Sequence, residues 1–239
     1  MKTIAIIPAA GFGIRMKAKI PKQFLKLDGR PVLAVTLEKF NECSLVDGII
    51  PVVPADDVEY CNRDIVEQYG LGKVIKVIAG GARRQDSVRA GILAIDGGCD
   101  NVLIHDGVRP FVRVETIKNT IMALEHERAV ITAVPAKDTV KKMDEKGYVA
   151  NTCDRKLLRL VQTPQIFRYD DIYNAHMRAE AEGWGEVTDD AMLMERLGIP
   201  VKVIEGSEEN IKVTTPGDLE YAEFLLRRKR AVRAGFEND

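Results

Sequence analysis

The sequence is poor in cysteine and histidine, and neither is set out for metal or disulfide chemistry. Cys43, Cys61, Cys99 and Cys153 contain no CxxC pair, and none sits at zinc-ligand spacing from a histidine. Isolated thiols suit a reducing compartment, so free cysteines and a cytoplasmic location are expected. His105, His126 and His176 are equally scattered. The strand-turn-helix serine signature of a Ser-His-Asp hydrolase is missing. No apolar run approaches the roughly 18 residues of a membrane span. The opening MKTIAIIPAAG holds one lysine and a short apolar stretch that enters a Gly/Arg loop, which is not the build of a secretory signal. A net charge of −1 excludes the basic excess of a general nucleic-acid binder, although it hides local clusters.

What is present is an alternation of patterns. The 239 residues are 46% hydrophobic and 30% charged, enough for one domain spanning residues 1–239. Short β-branched runs at Thr3–Ile7, Gly48–Val53, Lys73–Ile78, Asn101–His105, Ala129–Val134 and Val201–Ile204 predict strands buried on both faces. Helical patterns cover Val32–Asn41, Asp57–Tyr69, Gln85–Ile95, Val114–Glu127, Asp170–Glu182, Asp189–Leu197 and Pro216–Arg230. This alternation predicts an α/β layered domain with a mostly parallel sheet, whose ligands sit beyond the carboxyl ends of the strands. Thr139–Met143 and Tyr148–Thr152 break the rhythm. They flank a Gly-containing turn and read as a β-hairpin excursion over residues 137–156. It is either surface decoration or an arm that finds its burial on a partner subunit, since a lone hairpin is marginally stable in water.

The residues that could carry chemistry gather in loops. The first strand runs into Pro8-Ala9-Ala10-Gly11-Phe12-Gly13-Ile14-Arg15-Met16. Small residues there let backbone N–H groups approach phosphate oxygens. A dinucleotide fingerprint needs a glycine where Met16 stands, and a Walker loop needs Gly-Lys-Ser/Thr after its first glycine; neither fits. Arg15, Lys17, Lys19 and Lys22 follow closely and point to a polyphosphate, the alternative being a plain loop with incidental cations. Asp106, in His105-Asp106-Gly107-Val108-Arg109-Pro110, is either a magnesium carboxylate with Arg109 on a phosphate, or part of a common Asp-Gly turn. Gly80-Gly81-Ala82-Arg83-Arg84-Gln85-Asp86-Ser87 is either a ledge for base or phosphate, or an ordinary capped βα loop. Lys212, in an extended piece before the last helix, either reaches the site or is an exposed strand lysine.

Together, PAAGFGIRM with Pro21-Lys22-Gln23, GGxxRxxS, HDGVRPF, Asp154-Arg155, Thr163-Pro164-Gln165, Thr188-Asp189 and NIKVT resemble the 2-C-methyl-D-erythritol 4-phosphate cytidylyltransferases over nearly the whole chain. The resemblance implies a three-layer Rossmann-like nucleotidyltransferase fold with a mostly parallel sheet and a protruding β-hairpin arm. It implies CMP transfer from CTP to 2-C-methyl-D-erythritol 4-phosphate, giving 4-diphosphocytidyl-2-C-methyl-D-erythritol and pyrophosphate in the non-mevalonate route to isoprenoids, assisted by Mg2+ or another divalent cation. Arg15 and Lys22 then match triphosphate-binding cations, Lys212 matches the lysine on the α-phosphate, and Asp106 the metal and substrate carboxylate. Ala9, Ala10, Gly11, Gly13, Gly81 and Ser87 match nucleotide-binding positions. Arg109, Thr163 and Thr188 match positions lining the sugar-phosphate pocket. Thr139 and Arg155 match residues that reach the neighbouring subunit's substrate phosphate, which makes the hairpin a homodimer arm. Gly107 and Val108 depart from the family, where small residues such as alanine are common, and Ala82 stands where some members carry a charge. A cytidylyltransferase for ribitol 5-phosphate is the nearest rival reading. A sugar-1-phosphate nucleotidyltransferase is more distant. A non-catalytic nucleotide-binding module leaves Arg15, Lys22, Asp106 and Lys212 without a task, and Met16 counts against a dehydrogenase.

Overall fold

The computed structural model describes residues 1–11, 20–185 and 187–236. β1 (Thr3–Pro8) opens the chain. β2 (Lys26–Leu27) and β3 (Arg30–Pro31) form a short antiparallel pair leading into α1 (Val32–Glu42), followed by β4 (Gly48–Val53). α2 (Val58–Cys61) passes into a π-helical stretch at Asn62–Glu67, before β5 (Ile78–Ala79), α3 (Arg84–Leu93), β6 (Asn101–Ile104) and α4 (Val114–Ala123). Then come β7 (Ala129–Pro135), the hairpin strands β8 (Lys141–Met143) and β9 (Val149–Thr152), and β10 (Arg159–Arg168). α5 (Tyr169–Ala181), α6 (Ala191–Arg196), β11 (Lys202–Glu205) and α7 (Pro216–Phe236) complete the order.

Seven strands build one sheet in the order β11-β7-β10-β6-β1-β4-β5. β1 pairs parallel with β4 and β6, β4 with β5, and β7 with β11. β10 alone runs antiparallel, between β6 and β7. Alternation along β1 sends its side chains to opposite faces. Ala5 and Ile7 pack with Leu33, Leu37 and Phe40 of α1 and Ile117 of α4. Ile4 and Ile6 pack with Val88 and Ile92 of α3 and with Ile172 and Ala175 of α5. Helices therefore cover both faces, giving three layers. A third cluster of Leu27, Val32, Val213, Ala222 and Leu225 seats α7 beside β2. β8 and β9 pair with each other, and residues 141–152 are exposed, with Met143, Tyr148 and Val149 among the large apolar side chains in solvent.

The structure departs from the sequence expectation at three strands. The strand expected at Lys73–Ile78 shrinks to Ile78–Ala79, with a lone bridge from Val74 to Ile49. Its polar groups turn toward the end of α1: the Lys73 N–H donates to Asn41 Oδ1 at 3.0 Å and Lys73 Nζ to the Cys43 carbonyl at 2.6 Å. β11, expected to be buried on both faces, is the edge of the sheet and mostly exposed. β10 has no counterpart among the expected strands; it carries Pro164, a residue that cannot donate to a strand ladder. The ladder accommodates the proline by a register shift between Gln162 and Gln165, which leaves Thr163 and Pro164 out of the pairing with β7. That irregularity lies at the carboxyl end of β6, beside the site.

Candidate active site

Three loops meet at the carboxyl ends of β1, β4 and β6. The Ala9 N–H donates to the Val52 carbonyl at 2.7 Å, the Gly80 N–H to the Val53 carbonyl at 2.8 Å, and the Gly107 N–H to the Pro8 carbonyl at 3.0 Å. These bonds draw Pro8–Gly11, Gly80–Ser87 and Asp106–Arg109 together. The approach is close enough to require glycine. A Cβ on Gly80 would stand 2.5 Å from Ala10 Cβ and 2.7 Å from Ser87 Oγ, and one on Gly107 would stand 2.8 Å from Ala9 Cβ. The Ser87 hydroxyl accepts from the Gly81 N–H at 3.2 Å and donates to the Arg83 carbonyl, which pins the turn at the start of α3.

Asp106 is the electrostatic centre. Its backbone N–H donates to Thr163 Oγ1 at 3.1 Å, across to the irregular part of β10. Its Oδ1 accepts from Arg84 Nε at 3.0 Å, and its Oδ2 meets Lys212 Nζ at 2.9 Å and Arg109 Nε at 3.4 Å. Burial alone raises the pKa of this carboxyl, but the charges of Arg84, Lys212 and Arg109 outweigh it and hold Asp106 well below the ordinary carboxylate range. Arg84 bridges a second buried carboxylate, donating from Nη1 to Asp190 Oδ2 at 2.7 Å. His176 Nε2 in turn donates to Asp190 Oδ1 at 3.2 Å. Lys212 is brought in by its neighbours: the Val213 N–H donates to the Val108 carbonyl at 2.9 Å, and Asn210 Nδ2 to the Thr163 carbonyl at 2.8 Å. Arg109 Nη1 donates to the Asn210 carbonyl at 2.7 Å, so this arginine is braced from both ends.

Two cavities flank Asp106. One, of about 380 Å³, is walled by Pro8, Ala9, Ala10, Gly11, Gly81 and Ser87, with Lys22 at its side. The other, of about 480 Å³, is walled by Arg109, Gln162, Thr163, Thr188 and Asp189. Arg84, Asp106 and Lys212 line both. The first has the small walls and backbone groups that admit a flat base and phosphates. The second offers hydroxyls, amides and cations, the complement of a small phosphorylated polyol.

The comparisons with known proteins agree with this geometry. The sequence model of 2-C-methyl-D-erythritol 4-phosphate cytidylyltransferase matches residues 3–228. A relative of that name from Geobacter metallireducens is 48% identical over 233 residues, covering 96% of this chain and 99% of its own. Another from Geotalea uraniireducens is 46% identical, covering 98% of this chain and 100% of its own. The crystal structure of 4-diphosphocytidyl-2C-methyl-D-erythritol synthase from Anaerococcus prevotii superposes with a TM-score of 0.85 at 38% identity, over 95% of this chain and 96% of its own. The chain belongs to the 2-C-methyl-D-erythritol 4-phosphate cytidylyltransferase family. It is a nucleotidyltransferase by that membership.

In this cytidylyltransferase, most of the residues singled out in the sequence converge. Ala9, Ala10, Gly11, Lys22, Gly81 and Ser87 line the first cavity, Arg109, Thr163 and Thr188 the second, and Asp106 and Lys212 both. Arg15 and Gly13 lie outside the described residues. Thr139 and Arg155 line neither cavity. Both are exposed beside the hairpin, where Arg155 Nη1 donates to the Lys137 carbonyl at 2.7 Å. Four contributors escaped the sequence reading: Arg84, Asp190, Gln162 and Asn210. Arg84 is the arginine of GGxxRxxS, and Asp190 directly follows the Thr188-Asp189 pair. Asn210 opens NIKVT, while Gln162 carried no such signal; together they tie the Ser207–Val213 segment to β10, Gln162 Nε2 donating to the Ser207 carbonyl at 2.9 Å.

Proposed function

We propose that this chain transfers CMP from CTP to 2-C-methyl-D-erythritol 4-phosphate, giving 4-diphosphocytidyl-2-C-methyl-D-erythritol and pyrophosphate in the non-mevalonate route to isoprenoids. The observation that carries the reading is the shared wall. Arg84, Asp106 and Lys212 stand between a small-walled cavity suited to a nucleotide and a polar cavity suited to a phosphorylated polyol. CTP occupies the first, with Ala9, Ala10, Gly11, Gly81 and Ser87 around the nucleoside and Lys22 on the triphosphate; the family resemblance assigns Gly13 to the nucleotide and Arg15 to the triphosphate as well. The acceptor occupies the second, against Arg109, Thr163 and Thr188.

An oxygen of the acceptor's phosphate attacks the α-phosphorus of CTP. A new P–O bond forms, the bond to the bridging oxygen of the β-phosphate breaks, and pyrophosphate leaves with the electron pair. A phosphate monoester is already anionic near neutral pH, so no strong general base is required. Alignment and charge neutralisation carry the rate. Lys212, at the shared wall, faces the α-phosphate, where charge builds.

A divalent cation arriving with the nucleotide would be held by Asp106, whose ionised carboxylate it would share with Arg84, Lys212 and Arg109. Among the described residues no three His, Cys, Asp or Glu side chains group to hold a metal by themselves. Magnesium needs only one or two protein carboxylates when phosphates and water complete its shell. When bound it adds positive charge to the phosphate oxygens.

The whole chain forms one nucleotidyltransferase domain, with residues 137–156 as an excursion that pairs two subunits. Its exposed Met143, Tyr148 and Val149, and the neighbouring Leu157 and Leu160, support this assignment. Thr139 and Arg155 then serve the partner's acceptor phosphate. A cytoplasmic location accords with the scattered cysteines. The test is a magnesium-dependent pyrophosphate-release screen over four nucleotides and several polyol phosphates, ribitol 5-phosphate included. CTP with 2-C-methyl-D-erythritol 4-phosphate is expected to be the best pair; a better rival pair refutes the substrate assignment.

A further inference from the structure

We propose that Asp190 and His176 are positioning residues: they hold Arg84 to one oxygen of Asp106 and thereby keep the other oxygen for Lys212. Neither lines either cavity; both stand behind Arg84, which lines the two. His176 sits on α5 and Asp190 at the start of α6, and they are 0% and 1% exposed. The same two helices contribute Ile172, Ala175, Leu193 and Met194 to the apolar core. A buried charge there is a poor device for stability, since apolar side chains of similar volume serve as well or better. The contact is better explained by what it does to Arg84.

Arginine and carboxylate prefer to meet as a fork, two parallel N–H groups on two oxygens. Arg84 does not do this with Asp106. It donates Nε to Asp106 Oδ1 at 3.0 Å, while Nη1 is pulled to Asp190 Oδ2 at 2.7 Å. The His176 bond to Asp190 Oδ1 fixes which way that carboxylate faces. The third nitrogen, Arg84 Nη2, is buried with no hydrogen-bond partner among the described residues, so the guanidinium gives up one set of donors to keep this split. Asp106 Oδ2 is then left to Lys212, at 2.9 Å, and to Arg109. With Asp190 neutralised, Arg84 is free to turn and take both oxygens of Asp106, releasing Lys212 from the wall shared by the two cavities.

The assay for this inference rests on the proposed CMP transfer; its structural arm does not. In a ligand-free crystal structure of Asp190→Asn, Arg84 is expected to engage both Asp106 oxygens and Lys212 Nζ to leave hydrogen-bond distance of Oδ2. In kinetics, Asp190→Asn is expected to lower kcat by about tenfold to a hundredfold, as a misplaced group does, with the KM for CTP within about threefold. Because the effect runs through Lys212, adding Asp190→Asn to Lys212→Ala is expected to change kcat by less than about threefold, a non-additive cycle. His176→Leu, an apolar replacement suited to its layer, is carried through the same measurements and is expected to give a smaller kcat loss of the same kind; it stands in if Asp190→Asn does not fold. An unchanged Lys212–Asp106 contact in the variant structure, or full additivity with Lys212→Ala, overturns the proposal. A wild-type protein inactive with this substrate pair overturns the proposed function instead, and the variant structure still decides the positioning role.

Discussion

Replacing Lys212 by alanine should slow the reaction far more than it loosens the protein. The Lys212 side chain is 38% exposed and its Nζ lies 2.9 Å from Asp106 Oδ2. Asp106 keeps Arg84 and Arg109 when Lys212 is gone, so no carboxylate is left buried and unpaired. A partly exposed ion pair of this kind is worth at most about 1 kcal/mol to stability. For a chain of this size that is a fall in Tm of about 2–4 °C. The rate term is larger. Loss of one preorganised cation from developing phosphate charge costs about 100-fold or more in kcat, or roughly 3 kcal/mol. The two quantities are separable by measuring steady-state pyrophosphate release and a thermal melt on the same preparation. A kcat within about threefold of wild type in a well-folded Lys212→Ala protein would refute the role given to this lysine. So would a fall in Tm far beyond 4 °C, because it would make the lysine a structural element.

Three further outcomes follow from the geometry. If Lys22 and Arg155 serve one site from two subunits, Lys22→Ala and Arg155→Ala are each nearly inactive, and a refolded equal mixture regains about a quarter of wild-type activity, because half the dimers are hybrids with one intact site; no recovery in a mixture shown to contain hybrids sinks the shared-site reading. Gly80→Ala should raise the KM for CTP and cost about 1–3 kcal/mol, because the new methyl meets Ala10 and Ser87 at 2.5 and 2.7 Å; a variant with wild-type binding and melting contradicts the packing argument. Stability in metal-free buffer should fall on acidification in two stages. Burial pushes the His105 imidazole down to about 4, against the opposing pull of its Arg109 carbonyl bond and the Asp106 charge. The unfolded chain therefore takes a proton near pH 6.5 that the folded chain refuses, and stability drops by roughly 3 kcal/mol between about pH 6.5 and 4. Asp106 and Asp190 have folded values below their unfolded value of about 3.9, so their contribution is present above it and is lost as pH falls through the folded values. Urea titrations from pH 7 to 3 read the first stage and the onset of the second, and a His105→Gln protein that keeps the first stage unchanged would show that another group causes it.

Much of the architecture was legible because buried parallel strands are written as continuous apolar runs. β1, β4, β6 and β7 announce themselves in this way, and each falls within a residue or two of its expected limits. β10 was not legible. Its proline is tolerated only because the ladder shifts register around Thr163 and Pro164, and a register shift belongs to two strands at once. The edge strands were misjudged for a related reason: whether a face is covered depends on what packs there, and β11 has a neighbour on one side only.

The same division runs through the site. By itself the sequence determined the glycine and alanine loops, the cations near Lys22, and Asp106 at the end of a strand, because small residues and charges after a strand carry local chemical meaning. It could not decide between a turn aspartate and a site carboxylate, or between an exposed lysine and a working one. Tertiary structure decided both by bringing Lys212 to within 2.9 Å of the buried Asp106 carboxylate, more than a hundred residues away along the chain, and by setting that pair between two cavities. It alone revealed Arg84 shared between Asp106 and Asp190. Electrostatic partnership depends on distance in space and on the water excluded from between the charges, and neither is a property of sequence order.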